Sequence, residues 1–382
     1  MQIVTKTSDT LSALLSDPDL AEAQFVSIHG NCADGIGAAA RSLPEGPALH
    51  GATSCLGAMT DTGATSGWAA FAINDPDGAY GTACLPFDAD GARSTAQRAT
   101  RAALLAADRV GERPDLVWIS ATPGTEEAVL AGIADAVGSD VPTIGGSAAD
   151  NSVEGNWFVF DSQTQSADGV VISVLFPSTP VSFAYQSGYS PTQASGVVTA
   201  GDGRRIFAID GRPAMDVYRD WTGGHVPAAT DGATAILSDS TLWPLGRAVS
   251  DVGGVPFYLL AHPATAHPDG SIDLFADVAV GERLTSMTGT KDSLIDRAGR
   301  VAGLARATND AGPDAIAGAL MIYCGGCMLS LNGRLGDVVD GVNNALGGAP
   351  FAGAFTFGEQ GTLLDAGNRH GNLMISCIVF GR

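Results

Sequence analysis

The amino-acid sequence predicts a mixed α+β protein made of two related halves, each a mixed, largely antiparallel sheet with flanking helices. Three observations lead to this prediction. Apolar, strand-like runs alternate with amphipathic helical patterns, which is typical of layered structures. Several strand-like runs then follow one another over residues 141–189, which favours a mixed or antiparallel sheet over a doubly wound parallel one. Finally, an ordered series of elements occurs twice along the 382 residues.

The composition indicates a well-buried, soluble chain that binds neither nucleic acid nor membranes. Hydrophobic residues make up 45% and charged residues 16%, against about 25% charged in ordinary domains. The formal net charge of −21 repels phosphate backbones and anionic membrane surfaces. The sequence lacks an apolar run of membrane-spanning length and a secretory signal. The six sparse cysteines fit reduced thiols, so we expect a cytoplasmic location.

The elements of the first half follow from local patterns. Apolar or alternating runs predict strands, Ala- and Arg-rich or striped segments predict helices, and Pro-Asp-Gly predicts a tight turn between two strands. The predicted strands are 23–29, 67–74, 80–86, 116–121, 141–147, 157–161, 169–176 and 181–189, and the predicted helices are 94–109 and one from the N-cap pair Thr122-Pro123 to Gly138.

An internal repeat organises the chain. The helical segment at 97–101 has a counterpart at 296–300, and an apolar strand follows each, LVWIS in the first copy and ALMIY in the second. The next amphipathic helix ends at Gly138 in one copy and at Gly347 in the other. Strands VPTIGG and APFAGA come next, and a strand that contains Ile-Ser closes each copy. An ordered series of this kind indicates a duplicated supersecondary unit.

The boundary between the halves is predicted in the turn-rich residues 200–230. This segment holds the strand-like RRIFAID and a short helix from about Ala214. We therefore predict one domain at 20–205 and a second at 206–380.

The pair Cys324 and Cys327 ends an apolar strand and leaves several interpretations open. The two thiols are buried at a glycine turn, form a redox pair, contribute half of a zinc site, or contact a ligand. A zinc site needs two more ligands, and the sequence has no second such pair. The residues that follow do not read clearly as the helix of a thioredoxin-like motif. The nucleophile elbow Gly-x-Ser-x-Gly and the phosphate-binding loop are absent from the sequence.

Two glycine-containing loops are candidates for ligand binding. Residues 145–150 (GGSAAD) follow an apolar strand, and their small side chains let a ligand approach the backbone amides. Gly358 and Glu359 hold the counterpart position in the second half, where a carboxylate can receive an amine or a guanidinium. The alternatives are a tight bend between strands and a solvated glutamate. Of the six histidines, His370 lies between two strands and is the preferred iron ligand over His262.

Several stretches together resemble the FIST family of bacterial sensory proteins. The most specific is Asp210-Gly211-Arg212-Pro213-Ala214, which is similar to the family's Asp-Gly-x-Pro-Ala signature. The order Ser54-Cys55 is reversed relative to the Cys-Ser expected in the family. The other matching stretches are 51–57, 145–150, 269–271, 323–324, 358–359 and 368–372, so the resemblance covers roughly residues 25 to 380.

The resemblance implies a small-molecule sensor that signals to a histidine kinase, a cyclase or a chemotaxis receptor. Amino acids are the proposed ligands of many members, and some members resemble haem proteins that sense nitric oxide. Carried over position by position, the expected ligand-binding residues are Ser54, Cys55, Gly145, Gly146, Ser147, Asp150, Cys324, Gly358 and Glu359, with His370 as the ligand of a haem if one binds.

The sequence therefore predicts a free-standing cytoplasmic sensor that is not an enzyme. Its small, amino-acid-like ligand is expected between the two halves or at the glycine loops, and its partner is expected to be a separate chain because the two halves leave no room for an output domain. The cofactor is unknown, with haem as a candidate. The alternatives are a haem-based nitric oxide sensor that regulates a histidine kinase, and a thiol enzyme that uses Cys324 and Cys327.

Overall fold

The structure is a computed structural model that describes residues 1–31, 46–310, 312, 314–331, 333–363 and 365–382, and all side chains in these ranges except that of Val252. Strand (42%) exceeds helix (23%) and the sheets are mixed or antiparallel, which confirms the predicted mixed α+β class. Among the described residues, no helix combines the length and apolar character needed to cross a membrane. Cys32 lies outside the described ranges, and the other five cysteines are buried and outside any disulfide.

The chain starts with a β-rich segment that we call unit I. Its elements are β1 (Gln2–Ser8), α1 (Leu11–Leu15), α2 (Pro18–Ala21), β2 (Phe25–Gly30), β3 (Ala48–Thr53), β4 (Ala58–Thr60), β5 (Gly63–Thr65) and β6 (Trp68–Asn74). The first strand, β1, pairs antiparallel with the last strand, β6, and β6 also pairs antiparallel with the central strand, β2. Strand β3 is the parallel neighbour of β2.

Unit II repeats this order with longer helices. Its last strand pairs antiparallel with both the first and the central strand, and the central strand again has a parallel neighbour. Its elements are β7 (Ala79–Pro86), α3 (Gly91–Ala106), β8 (Leu116–Ala121), α4 (Glu126–Val137), β9 (Thr143–Ser147), β10 (Val159–Phe160), β11 (Gln165–Ser166) and β12 (Gly169–Phe176).

An inserted domain interrupts the third unit directly after that unit's first strand, β13 (Val181–Ser187). The insert folds into one nine-stranded antiparallel sheet with its own apolar core, and its two ends lie side by side because Ser190 pairs with Thr288. Its elements are β14 (Ser190–Asp202), β15 (Arg205–Ile209), β16 (Arg212–Pro213), α5 (Ala214–Trp221), β17 (Thr234–Ala235), α6 (Leu237–Ser240), β18 (Leu245–Val252), β19 (Val255–Ala261), β20 (Pro263–Ala266), β21 (Ile272–Leu274) and β22 (Arg283–Thr288).

Unit III resumes after the insert and repeats the order once more. Its central strand lies between a parallel neighbour and the antiparallel last strand, which also pairs with β13. The remaining elements are α7 (Lys291–Ala307), β23 (Ile316–Cys324), α8 (Gly325–Ser330), α9 (Leu335–Leu346), β24 (Phe351–Thr356), β25 (Glu359–Leu363), β26 (Gly367–Gly371) and β27 (Met374–Gly381).

The three units exchange hairpins in a closed cycle. The β10–β11 hairpin of unit II extends the sheet of unit I beside β3. The β25–β26 hairpin of unit III extends the sheet of unit II beside β9, and the β4–β5 hairpin of unit I extends the sheet of unit III beside β24. Each sheet is therefore completed by another unit, and a core made by all three units fills the centre.

The predicted repeat is confirmed and extended. Its five paired elements are α3 and α7, β8 and β23, α4 and α9, β9 and β24, and β12 and β27, and the glycines that end α4 and α9 both have positive φ. The third copy escaped the sequence comparison because α1 and α2, the helices of unit I within the described residues, are short and lack the alanine-rich pattern. The predicted domain ranges meet at 205 and 206, the start of β15, so the sheet of the insert draws strands from both ranges.

Two local predictions need correction. The helix placed at Thr122-Pro123 begins at Glu126, because the hydroxyl of Thr122 accepts the Gly169 N–H (3.0 Å) and ties this segment to the neighbouring strand. Strand β1 was not predicted, because it is an edge strand in which only Ile3 is buried, and its residues carry no strong apolar run.

Candidate functional site

The loops that follow the parallel strands β3, β9 and β24 meet at one end of the three-unit core. Each loop donates a backbone N–H to the parallel strand of the next unit, so the loops are linked in a ring. The three bonds run from Cys55 N to Phe355 O (2.9 Å), from Ala149 N to Thr53 O (2.9 Å) and from Phe357 N to Ser147 O (3.2 Å). The glycine loops predicted to be equivalent therefore lie together.

The loop of unit II is held in shape by one buried carboxylate. Asp150 accepts backbone N–H groups from Ser152, Val153, Glu154 and Asn156 at distances of 2.5–3.1 Å. Burial alone raises the pKa of Asp150, but these four donors outweigh it and lower the pKa below its usual value. Val153 adopts a left-handed φ of 59°, which is strained for a β-branched residue.

A cavity of about 500 Å³ lies where the insert packs against these loops, and we call it the loop cavity. Its walls are mostly apolar, and its described lining contains no Asp, Glu, Lys or Arg. The lining residues are Val153, Ala235, Leu237, Ser238, Thr241, His262, Phe275, Cys324, Gly326, Leu329, Ser330, Phe357, Gly358 and Asn372. Concave, apolar sites with few polar groups are typical of small-molecule binding.

His262 presents a neutral imidazole to the loop cavity. The residue is 3% exposed, and burial lowers its pKa to about 4. Its Nε2 lies 3.0 Å from the carbonyl oxygen of Leu237, which can only accept, so Nε2 carries the proton. Nδ1 is then a lone-pair acceptor, and it has no hydrogen-bond donor among the described residues.

Asn372 provides the complementary donor. Its Oδ1 accepts the backbone N–H of His262 (3.1 Å), which fixes the orientation of the amide. Its Nδ2 is buried and has no acceptor among the described residues. The neighbouring Leu373 has a φ of 57°, so the backbone is strained where this side chain is held. An unpaired buried donor beside a cavity indicates a missing hydrogen-bond partner.

Cys324 lines the loop cavity, and the buried Glu359 lies next to it. Burial, followed by the proximity of Cys327, raises the pKa of the Cys324 thiol well above its usual value. Burial and the neighbouring Cys324 likewise raise the pKa of Glu359 well above its usual value. The Glu359 carboxyl accepts the Thr356 hydroxyl (2.8 Å) and the Met374 N–H (3.0 Å). Glu359 therefore contacts strands of unit III and does not line the cavity.

The cysteine pair opens a helix, in contrast to the sequence interpretation. Cys324 is the N-cap of α8, and Cys327 lies inside that helix. The Cys327 Sγ contacts the hydroxyl of Tyr189 at 3.6 Å, and both cysteines are buried. Within the described residues, the cysteines are not part of any cluster of metal-ligating groups. The arrangement leaves the redox, buried-thiol and ligand-contact interpretations standing and gives the zinc interpretation no support.

Apart from Cys324 and Gly358, the residues predicted for the site do not line the loop cavity. The Ser54 hydroxyl accepts the Phe355 N–H (2.7 Å), and the Ser147 hydroxyl donates to Glu126 (2.8 Å). Gly145 and Gly146 pair with β25, and the backbone of Cys55 belongs to the loop ring. Cys324 and Gly358 are the two predicted residues that line the cavity.

Sequence reasoning missed the residues that the insert contributes. Leu237, Thr241 and Phe275 line the cavity but sit in no recognisable motif. Asn372 lies in the stretch that was singled out because of His370. No sequence motif marks Asn372 itself. The pairing of Asn372 with the backbone of His262 spans 110 positions of sequence and becomes visible only in the folded chain.

A second, larger cavity of about 840 Å³ lies between α4, the strands β18 and β19, and the β25–β26 hairpin, and we call it the interdomain cleft. At its edge, Arg204 of the insert pairs through Nη2 with Glu126 (2.7 Å) and Glu127 (2.8 Å) of α4. His370 lines the cleft, and Arg247 contributes a buried Nε that has no hydrogen-bond partner among the described residues.

Glu126, Glu127 and His370 offer ligand atoms within 4.8 Å of one another, yet they do not fit a metal or haem site. The guanidinium of Arg204 already forms ion pairs with both carboxylates. Nδ1 of His370 lies 3.1 Å from Gln360 Nε2, and its Nε2 lies 3.2 Å from the Phe275 carbonyl oxygen. Both ring nitrogens are therefore engaged, and iron ligation by His370 would break one of these bonds.

The loop cavity fits haem no better. Two haem propionates need cations or open solvent, and the described lining of the cavity has no Lys or Arg. His262 has an unpaired nitrogen there, but the lone pair of a neutral imidazole can accept a hydrogen bond from an N–H group as well as bind iron. This nitrogen alone is therefore no evidence for a haem.

Comparison with known proteins identifies both parts of the chain. The FIST N domain matches residues 24–212 and the FIST C domain matches residues 214–362. No curated protein sequence matches the chain significantly.

Solved structures show only distant similarity. A cyanuric acid hydrolase from A. caulinodans is 12% identical, with a TM-score of 0.35 over 100% of this chain and 99% of the hydrolase chain. PurL from T. maritima in complex with ATP is 10% identical, with a TM-score of 0.24 over 80% of this chain and 71% of the PurL chain. TM-scores this low support no conclusion about this protein.

Proposed function

The chain belongs to the FIST family, whose domains are sensory domains that bind small ligands in signal transduction, and on that premise we propose that it is a sensor whose ligand binds in the loop cavity. The observation that carries this proposal is the mostly apolar cavity of about 500 Å³ that the insert and the loops of units II and III enclose. A concave, apolar site with a few polar groups is typical of small-molecule binding.

The ligand class is part of the same proposal. An amino-acid-like molecule can place an apolar side chain against Phe275, Leu329 and Phe357. The described lining offers no charged partner for a free ammonium or carboxylate group, so these groups would have to lie at the mouth of the cavity.

Signalling is proposed to go through a separate protein, a histidine kinase, a cyclase or a chemotaxis receptor, in the cytoplasm. The cavity has walls from the insert and from the loops of units II and III, so a ligand that contacts all of them favours one arrangement of the insert over others. A partner that binds the insert and the three-unit core together can read this shift.

A thermal-shift screen with a cavity-filling variant tests the proposal. A Cβ added at Gly326 would lie 3.5 Å from His262 Cε1 and 3.7 Å from Cys324 Sγ, so Gly326→Ala fits and Gly326→Leu fills the cavity. A true ligand raises the melting temperature of the wild type and not that of Gly326→Leu.

The matched control is Gly336→Leu, because Gly336 is also helical but has open space around it. This variant should respond to the ligand like the wild type. The proposal fails if no compound stabilises the wild type, or if Gly326→Leu responds equally.

A thiol enzyme is a second candidate, since Cys324 and His262 line the same cavity. This function requires a reactive thiolate, whereas burial raises the pKa of Cys324. Iodoacetamide labelling of the folded protein at neutral pH tests this function. Fast alkylation of Cys324 that is lost in Cys324→Ser supports the enzyme, and uniformly slow labelling contradicts it.

The haem alternative is tested by the absorbance of protein that has been incubated with haemin. The lack of a Soret band contradicts this alternative.

A further inference from the structure

The two thiols of α8 begin a chain of hydrogen bonds that ends in the insert, and we call it the thiol chain. The Cys324 thiol is hydrogen-bonded to the Cys327 thiol. The Cys327 Sγ lies 3.6 Å from the Tyr189 hydroxyl oxygen. The Tyr189 hydroxyl donates to the Thr241 carbonyl oxygen at 2.7 Å.

The direction of every bond in the thiol chain is fixed from its far end. The Thr241 carbonyl can only accept, so it takes the single proton of the Tyr189 hydroxyl. Cys327 must therefore donate its thiol proton to Tyr189, and Cys324 must donate its own to Cys327. Two of the three bonds thus require a protonated sulfur.

The thiol chain crosses the joint between the three-unit core and the insert. Tyr189 lies between β13, which belongs to unit III, and β14, the first strand of the insert. Thr241 belongs to the insert and lines the loop cavity. A chemical change at the two sulfurs therefore acts on a contact that ties the insert to the core.

The two cysteines are placed to form a disulfide with each other. Cys324 is the N-cap of α8 and Cys327 is its third residue, the two positions whose side chains meet in a capping box. Cys324 lines the cavity of about 500 Å³, whereas Cys327 is fully buried. A small reagent can therefore reach Cys324 first, with Cys327 already in contact with it.

We propose that Cys324 and Cys327 are oxidised reversibly to a disulfide by small organic disulfides, and that this modification breaks the thiol chain to the insert. The Cys324 sulfur attacks the reagent, so that a mixed disulfide forms, the reagent's S–S bond breaks and one small thiol leaves. The Cys327 sulfur then attacks Cys324 and releases a second small thiol. The protein loses two electrons and two protons, and the reagent gains them.

This modification goes beyond the sensor function proposed above and requires no ligand in the loop cavity. Burial, followed by the proximity of Cys327, raises the pKa of the Cys324 thiol, so we expect slow exchange at neutral pH. Slow, stoichiometric oxidation also separates this modification from turnover by a thiol enzyme.

Mass spectrometry of the full-length protein tests the disulfide. The protein is incubated for hours with bis(2-hydroxyethyl) disulfide, denatured in acid and alkylated with N-ethylmaleimide. Of the six cysteines, two fewer should be alkylated than in the reduced protein. The peptide that contains both Cys324 and Cys327 should have lost two hydrogens, and dithiothreitol should restore the reduced mass.

Cysteine variants assign the two steps. Cys327→Ser should stop at the mixed disulfide on Cys324, and the control Cys84→Ser should be oxidised like the wild type because Cys84 lies in a separate core cluster. Full alkylation of the wild type after the incubation, or a disulfide between Cys324 and Cys55, overturns the proposal. If a variant does not fold, the peptide masses of the wild type decide.

Hydrogen exchange tests the link to the insert. Oxidation should speed the exchange of the backbone amides beside Tyr189, where Ser190 pairs with Thr288, by roughly two- to fivefold, the effect of losing a weak hydrogen bond. Tyr189→Phe should show this faster exchange already when reduced, and oxidation should add nothing. Amides of β2 in unit I are the internal reference.

The outcomes separate this proposal from the sensor function. A disulfide that leaves exchange beside Tyr189 unchanged overturns the link to the insert, and a missing disulfide overturns the whole inference. Neither result bears on ligand binding, which the thermal-shift screen of the reduced protein tests by itself.

Discussion

Single side chains determine the shape of the loops around the cavity, and Asp150 is the clearest case. Its carboxylate satisfies four backbone N–H groups that have no strand or helix partner. Because these bonds are made to the charged form, they also keep the pKa of the carboxyl low. The sequence singled out Asp150 as a ligand-binding residue, and in the structure its side chain holds the loop through these four bonds.

Replacing Asp150 with Ala should lower the free energy of unfolding by about 1–3 kcal/mol, because hydrogen bonds to a charged group are lost and their donors stay partly buried. Since the folded pKa lies below the unfolded value of about 3.9, this stabilisation is complete above that pH and is lost as the pH falls through the folded pKa. Urea unfolding measures the change. Glu154→Gln, in the same loop, is the control, and an equal loss in both variants would contradict this role.

Two buried histidines in the centre of the three-unit core make the fold sensitive to acid. Burial lowers the pKa of His29 to about 4, and burial and the nearby His29 lower that of His50 well below its usual value. Both rings of the pair are neutral in the folded protein. The His50 nitrogens lie 2.9 Å from Ser173 Oγ and 3.0 Å from Ser120 Oγ.

We expect the stability to decrease as the pH falls from about 6.5, where histidines of the unfolded chain become protonated, toward about 4. The unfolded state binds more protons in this window, so acid favours unfolding. Urea titrations at several pH values should show a smaller decrease for His50→Gln than for the wild type. His225→Gln should keep the wild-type pH dependence, because His225 is exposed; an unchanged slope in His50→Gln would refute the assignment.

At the scale of elements, the exchanged hairpins depend on close contacts that only glycine permits. A Cβ at Gly51 on β3 would lie 2.2 Å from the Phe160 ring on β10, which belongs to the next unit. The glycine thus allows the hairpin of unit II to pack flat on the sheet of unit I. The sequence contains 50 glycines, and nothing in it indicates which of them face another unit.

Gly51→Ala should lower the free energy of unfolding by about 1–3 kcal/mol through overpacking. Phe160→Leu should be less harmful in the Gly51→Ala background than in the wild type, because the smaller side chain relieves the clash. Thermal or urea unfolding of the four proteins gives the coupling. Gly232→Ala is the control, since a Cβ there would meet no atom within 4 Å. Additive effects of the two substitutions would show that the hairpin does not pack as described.

At the scale of the whole molecule, the cyclic exchange makes the three units one folding body, whereas the insert carries its own core. Without unit III, the β4–β5 hairpin of unit I loses its sheet partner β24. The strand β9 of unit II likewise loses its neighbour β25. The insert contains all strands of its own sheet.

We therefore expect residues 1–180 alone to remain unfolded and residues 190–288 alone to fold. The first fragment exposes unpaired strand edges, whereas the second keeps its sheet and apolar core. Circular dichroism melting and the dispersion of amide NMR signals compare the fragments. Cooperative melting of 1–180, or an unfolded 190–288, would contradict this division of the molecule.

The sequence by itself determined the fold class, the duplicated series of helices and strands, the glycine loops and the family. These features rest on apolar periodicity and turn residues within short segments, where neighbours in sequence decide the outcome. Even so, it yielded two copies of the repeat and not three, because the described helices of unit I, α1 and α2, are short.

Only the tertiary structure decided how the units are completed by one another and which residues form the cavity. His262 and Asn372 are 110 positions apart, and Arg204 reaches α4 from the insert across 78 positions. Such contacts form because burial brings distant backbone and side-chain groups together and then requires each polar atom to find a partner. The lining of the cavity therefore cannot be read from local patterns.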